Sequence, residues 1–299
     1  MSTPIELTIG HSPDPDDAFM WWPLGTPELE PSIDTGPFRF TPVADDIEKL
    51  NRRAIEVGDL DVTACSVHTY AHIRERYMLT ACGGSLGDGY GPRIVARDAH
   101  PESWLKTPGV RIAVPGTRTT AFLTLRLMLG TDFEHVVMPF ETITDAVRNG
   151  DVDAGVVIHE AQITYADLGL ASVADLGDWW KRETGLPLPL GGNAVRRDID
   201  DRFGPGMLAK LADVLKASIE HAMTHREQGV QYALGFAQPG TGDAQADRFI
   251  GMYVNDLTLD LGTAGEQAMQ RLLDQASDLG LAPAPGRIDP LRGRDGVPA

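Results

Sequence analysis

Short apolar strands alternate with helical segments along most of this chain, and three of the strand-to-helix turns (11–17, 63–69 and 115–120) carry polar, cap-forming residues. Strands that alternate with helices predict α/β sheets whose strands run mostly parallel, with helices on their faces. Ile5, Leu7 and Ile9 alternate with polar residues as a half-buried strand does. In the turn that follows, Asp14 suits an N-cap, Pro15 the first helical position and Asp17 the first turn, which leaves Asp16 available to face a cleft. Residues 45–57 read as a helix with Ile47, Leu50, Ala54 and Ile55 on one face and Gly58 as its stop. A strand over 60–64 is expected next, then a helix capped by Ser66 and running to about Tyr77. Strands are predicted at 78–82 and 93–97, with the glycine-rich stretch 83–92 between them as a loop. Residues 110–116 form another strand, and Thr117 to Thr120 lead into a helix.

Further along, 141–149 read as a short helix, and AGVVIHE (154–160) has the continuous apolar run of a buried parallel strand. Prolines and glycines in 178–192 oppose regular structure, and 193–197 read as a returning strand. The remainder is helical, with Leu208, Leu211, Leu215 and Ile219 sharing one face. The tail from Pro283 is rich in Pro, Gly and Arg and is expected to be loosely attached.

At 299 residues the chain is too long for one small core and suits two lobes. No apolar run approaches the ~20 residues that cross a bilayer. No basic segment followed by an apolar stretch opens the sequence, so a cytoplasmic location is expected. A formal net charge of −17 argues against nucleic-acid and anionic-membrane partners. An anionic ligand would therefore need helix N-termini or local positive groups. Cys65 and Cys82 form no C-x-x-C pair and are expected to be buried, reduced thiols.

In open α/β sheets ligands bind beyond the carboxyl ends of the strands, so the three turns are the candidate sites. Gly116-Thr117-Arg118-Thr119-Thr120 offers hydroxyls, a guanidinium and a helix N-terminus to an anion, although threonine is also an ordinary cap. His159 follows the buried run GVVI where a strand should emerge into a cleft, a suitable place for a proton acceptor or for a core histidine bonded to backbone. Glu160 would point away along that strand. His68 and His72 share a helix face, but HTYAH lacks the glutamate of H-E-x-x-H and no third ligand is evident, so no metal site is expected. The tryptophan pairs 21–22 and 179–180 read as packing residues. Neither G-x-x-x-x-G-K-[ST] nor G-x-S-x-G is present.

The segments SPDPDDAF (12–19), GPRIVAR (91–97), VPGTRTTAF (114–122), VVIHEAQITYADLGL (156–170) and DWWKRETGLPLPLG (178–191) together resemble the 1,4-dihydroxy-6-naphthoate synthases of the futalosine route to menaquinone. Those enzymes share a superfamily with chorismate dehydratase. The resemblance implies a two-lobed, periplasmic-binding-protein-like (type II) α/β fold with a ligand cleft between the lobes. It implies a first lobe from residues 1–96 plus 192–299 and a second from 97–191. It further implies a carbon–carbon lyase that converts cyclic dehypoxanthinyl futalosine, a small anionic aromatic substrate, to 1,4-dihydroxy-6-naphthoate. His159 would be the proton acceptor, and no metal or other cofactor would be needed. Thr119 and Thr120, with Ala64, Cys65 and Ser66 at the second turn and Ser12, Asp14 and Asp16 at the first, would contact substrate. The family's first turn usually reads S-P-C-P-N-D-T-F, so Asp14, Asp16 and Ala18 depart from it, and Ala64 stands where a lysine is common. A monomer or homodimer is expected. A substrate-binding protein, or a sister enzyme acting on another small carboxylate, is the alternative.

Overall fold

A computed structural model of the chain describes residues 3–237 and 241–294. In chain order its strands are β1 (Ile5–His11), β2 (Phe38–Ala44), β3 (Val62–Ser66), β4 (Tyr77–Leu79), β5 (Ser85–Gly87), β6 (Arg93–Ala96), β7 (Ile112–Val114), β8 (His135–Val137), β9 (Ala154–Val157), β10 (Ala171–Asp175) and β11 (Leu188–Arg196). Among the described residues they form two sheets. The first has the order β2-β1-β3-β11-β4, with β5 pairing to β11; the second has the order β10-β6-β9-β7-β8. Each sheet founds one lobe. The chain passes from the first sheet to the second between Gly87 and Arg93 and returns between Asp175 and Leu188. Arg93–Ala96 therefore pair in the second sheet and Leu188–Gly191 in the first.

The helices are α1 (Pro15–Trp21), α2 (Ile47–Glu56), α3 (Val67–Ile73), α4 (Thr120–Leu129), α5 (Ile143–Asn149), α6 (Ala161–Thr164), α7 (Leu176–Thr184), α8 (Ile199–Phe203), α9 (Met207–Thr224), α10 (Arg226–Ala233), α11 (Asp243–Tyr253), α12 (Asp256–Leu259) and α13 (Gly262–Asp278). One apolar cluster packs Phe19, Met20 and Leu7 against Leu211, Leu215 and Ile250 of the C-terminal helices. Another joins the lobes, running from Leu79, Leu272 and Leu273 to Ile94, Ile112 and Leu123. The two lobes thus share buried apolar surface beneath the cleft.

The strand–helix alternation of the sequence is present, but the sheets are mixed. β1 runs parallel to β2 and β3, and β7 parallel to β8 and β9. β11 is antiparallel to β3, β4 and β5, and β6 is antiparallel to β9 and β10. Strands β2, β8 and β10 are additional to those expected.

Three further expectations change. Most of 178–192 is regular, all but 185–187: the Asp175 carboxylate accepts from Gly177 N and Asp178 N to start α7, and Gly185 at φ 75° ends it. Trp180 then donates from Nε1 to Pro187 O, and Pro189 enters β11 where the pairing with β5 shifts register, a place a proline tolerates. Part of the glycine-rich 83–92 stretch is strand β5. The tail is docked as far as Arg294: Ile288 is buried, Leu291 bridges to Thr80, and Arg292 pairs with Glu266 and Asp260. Residues 295–299 of the expected loose tail lie outside the described residues.

Candidate functional site

β1 delivers the chain to the first turn, and α1 begins at Pro15 with Asp14 in the N-cap position. The Asp14 side chain makes no cap bond. Its Oδ1 lies 2.7 Å from Nδ1 of His159 instead, and its Oδ2 lies 2.6 Å from Ser12 Oγ. Asp17 takes the backbone N–H of Ser12 at 2.8 Å, and its Oδ2 lies 2.9 Å from Ser12 Oγ. Capping therefore does not account for Asp14 as the sequence pattern suggested. Asp16 is buried beside both carboxylates. Burial first, then the charges of Asp17 and Asp14, raise its carboxyl well above the usual range. Burial likewise raises Asp17, against the hydrogen bond from Ser12.

His159 does not extend a strand. β9 ends at Val157, and His159 adopts φ 58°, the one described non-glycine residue in the left-handed region. That conformation is uncommon for a side chain bearing a Cβ and strains the backbone by about 1–3 kcal/mol. Glu160 accordingly sits at the N-terminus of α6 and does not alternate along a strand. The imidazole is 8% exposed, with the Phe140 ring against it in a T-shaped contact at 4.0 Å between centroids. Burial opposes its charge, but the Asp14 carboxylate and its hydrogen bond outweigh burial and raise the imidazole to about 9. Its Nε2 is buried and has no hydrogen-bond partner among the described residues.

The facing wall is neutral. Thr119 caps α4: its Oγ1 accepts from Phe122 N and donates to Gly116 O. Gly116 leaves no room for a Cβ, which would meet the Glu48 carboxylate at 2.4 Å, and that carboxylate accepts from Arg118 N at 2.9 Å. Thr120 Oγ1 donates to Leu190 O at 2.6 Å and accepts from His68 N at 3.2 Å. Thr120 and Ala121, the first two residues of α4, line the cleft, and the first N–H groups of a helix have no partner within it. Ser66 accepts the Asn51 amide through Oγ and donates its own N–H to Asn51 Oδ1, so its hydroxyl does not cap α3, which ends at Ile73. Cys65 is fully buried, and burial pushes its thiol up to about 12, far from a reactive thiolate.

Two expected polar features are occupied elsewhere. Arg118 Nη1 lies 3.1 Å from His72 Nε2, so its guanidinium is not among the groups lining the cleft. His68 is buried with Nδ1 3.3 Å from Thr119 O and Nε2 3.4 Å from Leu281 O, and burial lowers it to about 4. Its nitrogens face backbone carbonyls, as those of a core histidine do.

All nine residues singled out from the sequence line one cleft: Ser12, Asp14, Asp16, Ala64, Cys65, Ser66, Thr119, Thr120 and His159. A family model described as menaquinone biosynthesis matches residues 7–278. The chain is 40% identical over 280 residues to the 1,4-dihydroxy-6-naphthoate synthase of Thermus thermophilus, covering 93% of this chain and 97% of that one. It belongs to the 1,4-dihydroxy-6-naphthoate synthase family of menaquinone biosynthesis. Another member, from Streptomyces coelicolor, is 39% identical over 287 residues, 94% of this chain and 96% of its own. A crystal structure of an Archaeoglobus fulgidus protein superposes with a TM-score of 0.81 at 40% identity, over 92% of this chain and 98% of that one. The alkanesulfonate-binding protein SsuA of Xanthomonas axonopodis has the same two-lobed fold, with a TM-score of 0.66 at 14% identity over 96% and 98% of the two chains.

The synthase-family cleft also contains residues that the sequence pattern did not single out. Gln162, on α6, bonds to the Tyr253 hydroxyl of α11 at 2.6 Å and ties the second lobe to the first. Asn193, on β11, donates to Gly83 O at 2.9 Å, while its buried Oδ1 has no partner among the described residues. A polar residue inside the returning strand 193–197 was the available signal for Asn193. Tyr253 carried none, because its approach depends on packing at the far end of the chain.

Proposed function

We propose that the chain is a lyase that converts cyclic dehypoxanthinyl futalosine to 1,4-dihydroxy-6-naphthoate, with His159 as the proton acceptor. The observation that carries this reading is the buried, unpartnered Nε2 of His159 among the described residues, on a ring held at its other nitrogen. The relatives' names supply the reaction class, and the site supplies a base suited to it. Nε2 takes a proton from the substrate, the electron pair left behind expels the sugar-derived fragment, and the remaining ring becomes aromatic. The carboxylate of the substrate is held by the first N–H groups of α4 at Thr120 and Ala121. Asn193 Oδ1 accepts from a substrate hydroxyl. Ser12, Asp16, Ser66 and Thr119 shape the rest of the cleft, and lobe closure around the substrate excludes water. Among the described residues no helix is long and apolar enough to cross a membrane.

Purified protein incubated with cyclic dehypoxanthinyl futalosine should release 1,4-dihydroxy-6-naphthoate, followed by mass. Tight retention of the compound without product would replace the lyase by a binding protein. Neither binding nor turnover would point to another small carboxylate as the substrate.

A further inference from the structure

We propose that Asp14 is the positioning residue of the site: its carboxylate, seated against Ser12, holds the His159 ring so that Nε2 alone meets the substrate. This rests on the reading of His159 as the proton acceptor, and it adds a role for a residue expected to cap a helix and touch substrate.

An imidazole has two nitrogens, and a neutral ring carries its proton on one of them. A carboxylate 2.7 Å from Nδ1 selects the Nδ1–H tautomer and leaves the Nε2 lone pair to accept a proton. Both oxygens of Asp14 are in hydrogen-bond contact, one with His159 and one with Ser12 Oγ at 2.6 Å, a hydroxyl whose single proton Asp17 Oδ2 at 2.9 Å also approaches. The backbone contributes independently. Asp14 has the extended conformation of an N-cap, φ −104° and ψ 146°, yet gives its side chain to His159 and none to the helix. His159 holds a left-handed φ of 58° to bring its ring there, and Phe140 packs against the ring. Two local costs, an unused cap and a strained residue, meet in one hydrogen bond. When Nε2 takes a proton, the new charge forms beside a carboxylate already in place, as electrostatic preorganisation requires. The charged groups facing His159 are Asp14 and Asp16 from the first turn, the adjacent Glu160, and Asp46 at the start of α2. Asp14 is in hydrogen-bond contact with the ring.

Nitrogen-15 NMR of the full-length, ligand-free protein, with His159 assigned by its loss in His159→Asn, reads the tautomer directly. Above the titration of His159 the wild type should show Nδ1–H with an unprotonated Nε2. An Nε2–H tautomer would overturn the proposal, and this result needs no variant of Asp14. In Asp14→Asn the His159 transition should fall by at least one pH unit. In the same variant kcat should drop at least tenfold with KM changed less than threefold, since an amide removes the charge and can favour the wrong tautomer. An unshifted transition in folded Asp14→Asn would also overturn the proposal. If the tautomer and shift are as expected but no product forms from cyclic dehypoxanthinyl futalosine, the lyase reading fails and the positioning role stands.

Discussion

The two walls of the cleft solve opposite problems. On the neutral wall, Thr119, Thr120 and Ser66 all have their hydroxyls engaged, with the carbonyls of Gly116 and Leu190 and the amide of Asn51. On the acidic wall, three buried carboxylates crowd the turn after β1, and a strained histidine leaves one nitrogen unpartnered among the described residues. Satisfied groups of the first kind give rigidity, because a buried polar group that loses its partner costs about 1–3 kcal/mol. Crowded groups of the second kind cost stability and return reactivity, since strain and displaced titrations concentrate where chemistry occurs. On the proposed reading the neutral wall builds the site and holds the substrate, and the acidic wall carries the proton transfer.

Substitutions on either side should separate these roles. The largest effect belongs to the acidic wall: His159→Asn should lower kcat by roughly 10²–10⁴. Asparagine is the appropriate replacement because it tolerates the left-handed backbone better than other residues with a Cβ. Circular dichroism melting should show the variant folded. On the neutral wall, Thr120→Val strips partners from Leu190 O and His68 N and should cost about 1–3 kcal/mol in urea unfolding. Thr119→Ala removes the cap of α4 and should cost about 1 kcal/mol. If either threonine variant kept full stability but lost turnover, the division between the walls would be wrong.

The smallest effect has the opposite sign. Asp16→Asn should stabilise the protein, raising Tm by roughly 2–4 °C at pH 8. The folded state binds the Asp16 proton more tightly than the unfolded state, so ionising Asp16 costs stability as pH rises above its ordinary value. The gain should accordingly vanish at pH 3. A loss of stability at pH 8 would show that the attraction of His159 for Asp16 outweighs burial and the neighbouring carboxylates.

Much of this division was legible in the sequence, in uneven degree. Ile5, Leu7 and Ile9 marked β1, and the turn after them was placed correctly because Pro15 and Asp14 suit a helix start. His159 stood out through the apolar run before it. Its partner did not, since Asp14 lies far away in the chain and the cap pattern offered a local use for its side chain. The left-handed backbone of His159 was equally hidden, because tertiary contacts impose it against local preference. Helix α7 was missed because the prolines and glycines of 185–192 outweighed the capping by Asp175, which is visible in the letters once the helix is known. The direction of Arg118 depends on His72, a contact between elements that no local pattern encodes. Ile288 and Leu291 were two apolar residues in a tail otherwise composed for solvent, and they dock it.

The pH dependence of kcat/KM tests the role of His159 most directly. A base must be neutral to accept a proton, and Asp14 raises this imidazole to about 9 in the free protein. With wild-type protein and cyclic dehypoxanthinyl futalosine, kcat/KM should climb about tenfold per pH unit and level off near pH 9. In His159→Asn that limb should be absent. A wild-type profile that is flat between pH 6 and 9, or the same limb in His159→Asn, would contradict His159 as the proton acceptor.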